Sequence, residues 1–269
     1  MKLSIVFPVL NQHELFYKCF EEIRKNTTTD DIEYLIIDNG SDEDIVLPGV
    51  RVIKNKENIG VYPTTNQGMD NTNGDFVAFF HSDVVIWEKG WDKRVIKEFE
   101  NDINLGLIGF VGSNEIDYNG GRGCGTMSNF MGKSLDKWTG SPAEHHGRRI
   151  TEGHRSAVVD GCVMILDRSA WDNIGYRKHF PPHHFYDRLI CTQLLENNWN
   201  IMTLGIEFDH FNGQTSSHEN KYDKFAEHWC KTHGEPVKVG SWDNTLYNRA
   251  EREWLKEYRD DKHLIPIKV

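Results

Sequence analysis

Within residues 1–80, short apolar runs alternate with segments of helical period, and few architectures accept that order. "LSIVFPVL" (3–10) is a continuous apolar run containing β-branched residues, as in a strand buried on both faces. From Glu14 to Lys25 the residues Leu15, Phe16, Cys19, Phe20 and Ile23 recur at helical spacing. "IEYLIID" (32–38) predicts a second strand that ends in the turn chemistry of Asn39-Gly40-Ser41-Asp42. "VRVIKN" (50–55) is a short third strand, and a helix is expected after Gly60 to about Asn71. Asn73-Gly74 then makes a turn into "DFVAFF" (75–80). A helix near 89–101 and a strand "LGLIGFVG" (105–112) follow. This alternation predicts an α/β fold: a Rossmann-like, mostly parallel central sheet with helices on both faces.

Residues 113–156 break the pattern. "SNEIDYNGGRGCGTMSNFMG" is rich in Gly, Ser and Asn, and the rest turns to His and Arg without a period. So long an irregular stretch inside a compact domain is usually functional or mobile. "AVVDGCVMILDRSAW" (157–171) restores a strand and starts a helix at about Arg168. A further helix begins at Tyr186, with Leu189-Ile190, Gln193-Leu194 and Asn197 on successive turns, and "WNIMTLGIEFDHF" (199–211) returns as strand. "HENKYDKFAEHWCKTHG" is a helix stopped by Gly234, and the charged, aromatic tail from Ser241 predicts one or two more helices packed on the main body.

Charge and cysteine usage narrow the function. A formal charge of −10 argues against non-specific nucleic-acid binding, which depends on basic surface; "HHGRR" (145–149) is the best local exception. Five cysteines, odd in number and without a C-x-x-C pair, indicate neither a zinc site nor a disulfide framework, so a reducing, cytoplasmic setting is expected. No window approaches eighteen apolar residues, which predicts no transmembrane helix, and "MKLSIVFPVLNQ" reads as a first strand rather than a signal peptide.

In sheets of this kind ligands bind outside the carboxyl ends of the strands. The polar residues at those ends are Asn11, Asp38, Asn58 and Asp83. Asp83 lies in "FVAFFHSDVVIWEKGW" (76–91), where His81-Ser82-Asp83 interrupts an apolar run. Taken alone, it is either a turn residue closing a strand or an acid held at a strand end for a ligand or metal.

Four spaced segments, in this order, carry a resemblance. They are "SIVFPVLNQHELFYKCFEEI", "EYLIIDNGSDED", "NKENIGVYPTTNQGMDNTNGDFVAFFHSDVVI" and "FYDRLICTQLLENNWNIMTLGIEFDHFNGQTS". Over roughly residues 3–215 the chain resembles the nucleotide-sugar glycosyltransferases of family 2, whose fold is called GT-A. Three positions depart from the family pattern. The metal-binding D-x-D is His81-Ser82-Asp83, the E-D pair is Tyr186-Asp187, and Thr65 stands where an arginine usually precedes the central asparagine of the third motif. In both acidic motifs the second carboxylate is kept.

The resemblance implies a nucleotide-sugar-binding half over 1–112, an acceptor-binding and catalytic half over 113–215 and a C-terminal helical extension over 216–269. It implies an inverting, metal-dependent transfer of a sugar from a nucleoside diphosphate-sugar, a UDP-sugar foremost, to a hydroxyl of a glycan, lipid or other polymer. Asp38 would hold the nucleobase, with Pro8, Val9 and Asn11 flanking the nucleoside and Asn58, Gly60 and Asn66 shaping the wall beneath it. Ser82 and Asp83 would face the donor, and Asp160 would touch its sugar. Asp83 and His210 would bind a divalent cation, Mn²⁺ or Mg²⁺, with His81 a further candidate. Asp187 would be the general base, and His183, His184 and Tyr186 crowd the same rim. Plainer roles compete: Asp38 as the cap of the Asn-Gly turn, Asp187 as an ordinary helix-start acid, His210 as a structural strand-end histidine.

Sugar-phosphate nucleotidyltransferases share the nucleotide-binding arrangement, but they place a glycine-rich phosphate loop with Arg and Lys after the first strand. "FPVLNQHEL" has none of these. A non-catalytic nucleotide- or sugar-binding protein of the same fold stays open. So does a viral-type transferase that glycosylates modified nucleic-acid bases, against which the acidic balance argues.

Overall fold

The computed structural model describes residues 2–117, 120–122, 125–133, 147–211, 221–232, 234, 242–258 and 267–268. Its first part is β1 (Leu3–Val9), α1 (His13–Asn26), β2 (Glu33–Asp38), β3 (Arg51–Lys54), α2 (Val61–Asp70), β4 (Phe76–Phe80), β5 (Val84–Ile86) and α3 (Trp91–Asn101). Next come β6 (Leu105–Gly109), β7 (Val111–Ser113), β8 (Glu115–Ile116), β9 (Thr126–Ser128), β10 (Arg148–Arg149), β11 (Gly153–Arg155), β12 (Val158–Val159), β13 (Val163–Asp167) and α4 (Arg168–Ile174). The described part ends with α5 (Tyr186–Glu196), β14 (Asn200–Leu204), β15 (Phe208–His210), α6 (Lys221–Thr232), α7 (Trp242–Tyr258) and β16 (Ile267–Lys268).

The main sheet has the order β11-β14-β6-β13-β4-β1-β2-β3. From β4 to β3 every pair is parallel, whereas β13 runs antiparallel between β4 and β6. Alternation along each strand feeds two cores. Ile5, Phe7 and Val9 of β1 and Ala78 and Phe80 of β4 pack with Phe16, Phe20 and Ile23 of α1 and Trp91 and Val95 of α3. Val6, Leu35, Val77 and Met164 face the opposite way, onto Tyr62 of α2, Trp171 of α4, Leu189 and Leu194 of α5 and Trp254 of α7. Helices therefore cover both faces, as the continuous apolar runs demand.

Three runs expected as single strands are each split between sheets. Residues 105–112 leave the main sheet at Phe110, and β7 joins a smaller sheet of order β10-β9-β7-β12. Residues 199–211 divide into β14, in the main sheet, and β15, which pairs with β5. Asp160-Gly161 separates β12 from β13. Two of the changes of sheet fall at or beside a glycine held against neighbouring atoms: a methyl on Gly109 would overlap Val159, and one on Gly205 would overlap the Ile150 carbonyl. Apolar composition alone does not distinguish one long buried strand from two short ones.

The consequence for function is geometric. β1, β2 and β4 run in one direction, with Val9 opposite Asp38 and Val6 opposite Phe79. Their carboxyl ends therefore share one edge, and the segments after β1, β2 and β4 converge there. The antiparallel β5–β15 pair sets His210 opposite Val84, and the Phe211 N–H donates to the Asp83 carbonyl at 3.0 Å. A residue from the end of the main body is thereby carried beside the His-Ser-Asp segment.

Candidate active site

A cleft opens at that edge, lined by Pro8 and Val9 at the end of β1, Leu10 and Gln12 after it, Asn39 after β2, Asn58 and Val61 before and within α2, His81, Ser82 and Asp83 after β4, and His183. The chain leaves β1 through Asn11 and Gln12, both left-handed at φ 57° and 54°. Asn11 is fixed there by its own N–H, which donates to Ser41 Oγ at 2.8 Å, and by its Oδ1, which accepts from Asp42 N–H at 3.0 Å.

Asp38 is fully buried behind this rim. One oxygen accepts from Ser41 N–H at 2.8 Å; the other makes no hydrogen bond and has the Lys54 ammonium 3.8 Å away. A buried carboxylate oxygen with unused acceptor capacity is uncommon and points to a ligand donor. Beside it Asn39 donates to Asn58 Oδ1 at 2.8 Å and accepts from Ile59 N–H at 3.0 Å, and Asn58 Oδ1 also accepts from Gly60 N–H at 2.9 Å. These bonds make the wall a polar network rather than a set of separate side chains. Gly60, at φ 94°, has no room for a methyl, which would overlap Pro182.

His81, Asp83 and His210 bring one potential ligand atom each to within 4.8 Å of one another. His210 Nε2 lies 3.3 Å from Asp83 Oδ1, and the two imidazole centroids are 5.6 Å apart. Burial favours the neutral form of His210, but the Asp83 carboxylate outweighs it and holds the imidazole above its ordinary pKa. Burial also opposes ionisation of Asp83, and His210 overcomes it, so the carboxyl sits below the usual value. For His81 burial prevails and its pKa is lowered, which leaves a neutral ring. A carboxylate and two imidazoles within this span suit a divalent cation: ligands about 2.0–2.1 Å from an octahedral centre lie about 3–4 Å apart, a small contraction from what is found.

Two further acids stand close by, each paired with an arginine. Asp160 accepts from Arg122 at 2.6 Å, and its second oxygen accepts from Cys162 N–H at 2.9 Å. Burial works against that charge, yet Arg122 prevails and holds Asp160 well below the ordinary aspartate range. Asp187 is the second residue of α5, which follows His184 and Phe185, left-handed at φ 59° and 54°. A bulky residue in that region is strained, and such strain is concentrated at functional turns. Both Asp187 oxygens accept from Arg188, at 2.9 and 3.1 Å, and Arg188 Nε donates to the Gly120 carbonyl at 2.9 Å.

Of the residues expected from sequence, Pro8, Val9, Asn58, Ser82 and Asp83 line the cleft, while Asn11, Asp38 and Gly60 stand immediately behind lining residues. Asp160 and Asp187 lie outside the lining, although the charges of both are felt at His81. Asn66 sits on α2, donating to Asp70 at 2.9 Å, away from the cleft. In "HHGRR", His145 and His146 lie outside the described residues; Arg148 and Arg149 are exposed in β10, and Arg149 donates to Asn129. Sequence gives no site signal for Gln12, Arg122 or Arg188, and Asn39 reads only as a turn residue. Arg188 directly follows Asp187, a spacing that no helical-pair rule flags, and Arg122 is hidden among glycines.

The sequence model described as "Glycosyl transferase family 2" matches residues 4–175, more than half of the chain. The chain belongs to glycosyl transferase family 2. Its fold is GT-A. Among family relatives, it is 29% identical over 120 residues to the uncharacterized glycosyltransferase YfnE of Bacillus subtilis (strain 168), covering 40% of this chain and 30% of that protein. It is 26% identical over 113 residues to the uncharacterized glycosyltransferase YibD of Escherichia coli (strain K12), covering 39% and 32%. The matched region is thus about a third of the length of these curated relatives. Solved structures of like fold include the mannosyltransferase PcManGT from Pyrobaculum calidifontis in complex with GDP-Man and Mn²⁺, with a TM-score of 0.54 and 11% identity over 94% of this chain and 69% of that one. GalNAc-T7 with UDP, GalNAc and Mn²⁺ gives a TM-score of 0.61 and 11% identity over 96% of this chain and 56% of that one. Among the described residues no helix is long and apolar enough to cross a membrane.

Proposed function

We propose that this family 2 protein is an inverting, divalent-cation-dependent glycosyltransferase that moves a sugar from a nucleoside diphosphate-sugar to a hydroxyl acceptor. The observation that carries the proposal is the gathering of His81, Asp83 and His210 beside a cleft with Asp38 buried behind one wall. The open acceptor of Asp38 would take an N–H of the nucleobase, and Asn58 and the segment from Pro8 would enclose the nucleoside. A UDP-sugar is the first donor to try; the bound GDP-Man of one fold neighbour and the UDP of the other support a nucleoside diphosphate.

Asp83 and His210, with His81, would hold Mn²⁺ or Mg²⁺, and imidazole donors favour Mn²⁺. When bound, such a cation neutralises the charge on the departing diphosphate as a Lewis acid. Asp187 would accept the acceptor hydroxyl's proton as that oxygen bonds to the anomeric carbon and the bond to the diphosphate oxygen breaks on the opposite face. Asp187 lies in the first turn of α5, at the positive end of the helix dipole. Arg188 donates to both oxygens of this carboxylate and must cede one of them to the incoming hydroxyl. Asp160, held by Arg122, would present its rim to the donor sugar. A cytoplasmic setting is part of the proposal, supported by the buried, unbridged thiols of Cys19, Cys162 and Cys191 among the described residues.

The test needs no acceptor. The protein is incubated with a panel of nucleoside diphosphate-sugars with and without Mn²⁺, and free diphosphate is measured. Slow Mn²⁺-dependent release from one donor class is the expected result. Donor binding without release here, and without turnover with any acceptor, would favour a non-catalytic binding protein, and neither binding nor release would overturn the donor assignment.

A further inference from the structure

The two family acids missing from this chain are replaced by residues that touch each other. His81 stands where the metal motif has its first aspartate, and Tyr186 stands where the E-D pair has its glutamate. Though 105 positions apart in sequence, His81 Nε2 and the Tyr186 hydroxyl are 3.0 Å apart. The contact has been given room and support. A methyl on Gly161 would overlap the Tyr186 hydroxyl, so only glycine fits beneath it. The Tyr186 ring stacks on Tyr62 at 6.4 Å and 22°, and Tyr62 is itself fixed by accepting from Arg177 N–H at 3.0 Å.

We infer that Tyr186 is a positioning residue that orients His81 toward Asp83 and His210, so that a His–Tyr strut replaces the two lost acids. With Nε2 engaged by the phenol, the ring nitrogen left available is Nδ1. For Nδ1 to offer its lone pair, Nε2 must carry the proton and donate to the Tyr186 hydroxyl oxygen, and an acceptor on the far nitrogen fixes the tautomer and orientation of a metal-binding histidine. The strut also ties the start of α5, where Asp187 lies, to the segment after β4 that carries Asp83, and so links the proposed base to the proposed cation site by one hydrogen bond. Exchange of a single partner would leave a buried polar atom facing nothing, so the two replacements belong together.

This inference rests on the cation site proposed above, and the experiment separates the two. Mn²⁺ binding is measured from the spectrum of free Mn²⁺ for the wild type, Tyr186→Phe, His81→Ala and the double variant. The ring nitrogens of His81 are followed by ¹⁵N-histidine NMR in the metal-free protein. Tyr186→Phe keeps the ring and removes only the hydroxyl, so the fold is retained. The inference expects about 10–100-fold weaker Mn²⁺ binding in Tyr186→Phe, a shift confined to the His81 nitrogens, and no further loss when the change is made in His81→Ala. Unchanged Mn²⁺ binding in Tyr186→Phe, or a full additional loss in the double variant, would overturn it. A wild type that binds no Mn²⁺ would end the cation assignment, and the His81 signals would then decide: if Tyr186→Phe leaves them in place, the strut is wrong as well.

Discussion

Asp83 and Asp187 stand for different stages of one reaction, so their amides should fail differently. Asn at position 83 keeps the shape but removes the charge that holds His210 at 3.3 Å, and with it the sole carboxylate among the three candidate ligands. Asp83→Asn is expected to abolish Mn²⁺-dependent nucleotide binding, measured by calorimetry with UDP and GDP. Asp187→Asn should leave that binding intact and lower turnover by about 10²–10⁴-fold, the range for removal of a general base. Full turnover in Asp187→Asn would reassign the base. Asp160 permits a test that requires no substrate. Its folded pKa is depressed below the ordinary 3.8, so its pair with Arg122 contributes stability at pH values above 3.8 and loses it as the pH falls toward the folded value. Asp160→Asn should therefore cost about 2 kcal/mol in urea unfolding at pH 7. The difference from wild type should shrink steadily below pH 4, and one that persists unchanged at the lowest workable pH would contradict the ion pair.

At the scale of elements, the decisive contact is between a turn and a helix start. The 181–185 turn delivers Asp187 through two left-handed residues, and it is braced where Gly60 abuts Pro182 and where Tyr62 N–H donates to the Pro182 carbonyl at 2.9 Å. Gly60→Ala would place a methyl into Pro182 and strain a backbone at φ 94°. We expect a loss of about 1–3 kcal/mol, as for overpacking a close contact. Turnover should fall more than nucleotide affinity, because the displaced turn carries Asp187 while Asp38 lies on another strand. Thermal unfolding and a KM-against-kcat comparison check this; equal loss in both constants would mean that the whole cleft had moved. The same region marks what could be read in advance. Helix starts at Val61, Trp91, Arg168 and Tyr186 follow from periodicity and punctuation. That Gly60 meets Pro182 is a contact across more than a hundred residues, for which local chemistry has no signal. The sheet changes near Phe110, Asp160 and Gly205 were hidden for a related reason: a strand buried on both faces looks alike whether it continues or crosses over.

For the whole molecule, strand order and direction made the site partly legible. Parallel β1, β2 and β4 put their polar ends on one edge, so Asp38 and Asp83 could be placed together from sequence, and His210 followed from resemblance. The arginine partners of Asp160 and Asp187 could not, because ion pairs depend on how loops fold back. The C-terminal helix was legible as a helix, not as a brace. In the structure α7 lies beyond the residues matched by the family model, and it packs Trp254 and Tyr258, both fully buried, into the core that holds Leu189, Ile190 and Leu194 of α5. Phe185 contacts Trp254 at 6.1 Å and Tyr247 at 5.2 Å, so α7 also backs the strained turn before Asp187. Trp254→Ala should cost about 3–5 kcal/mol of stability, the usual range for emptying a large buried aromatic site. If α7 does no more than add core, the folded variant should turn over normally at low temperature. If it holds α5 in place, kcat should fall while Mn²⁺-dependent nucleotide binding is kept, because Asp38 ends β2 and Asp83 follows β4. We expect the second outcome, measured at a temperature where circular dichroism shows the variant fully folded.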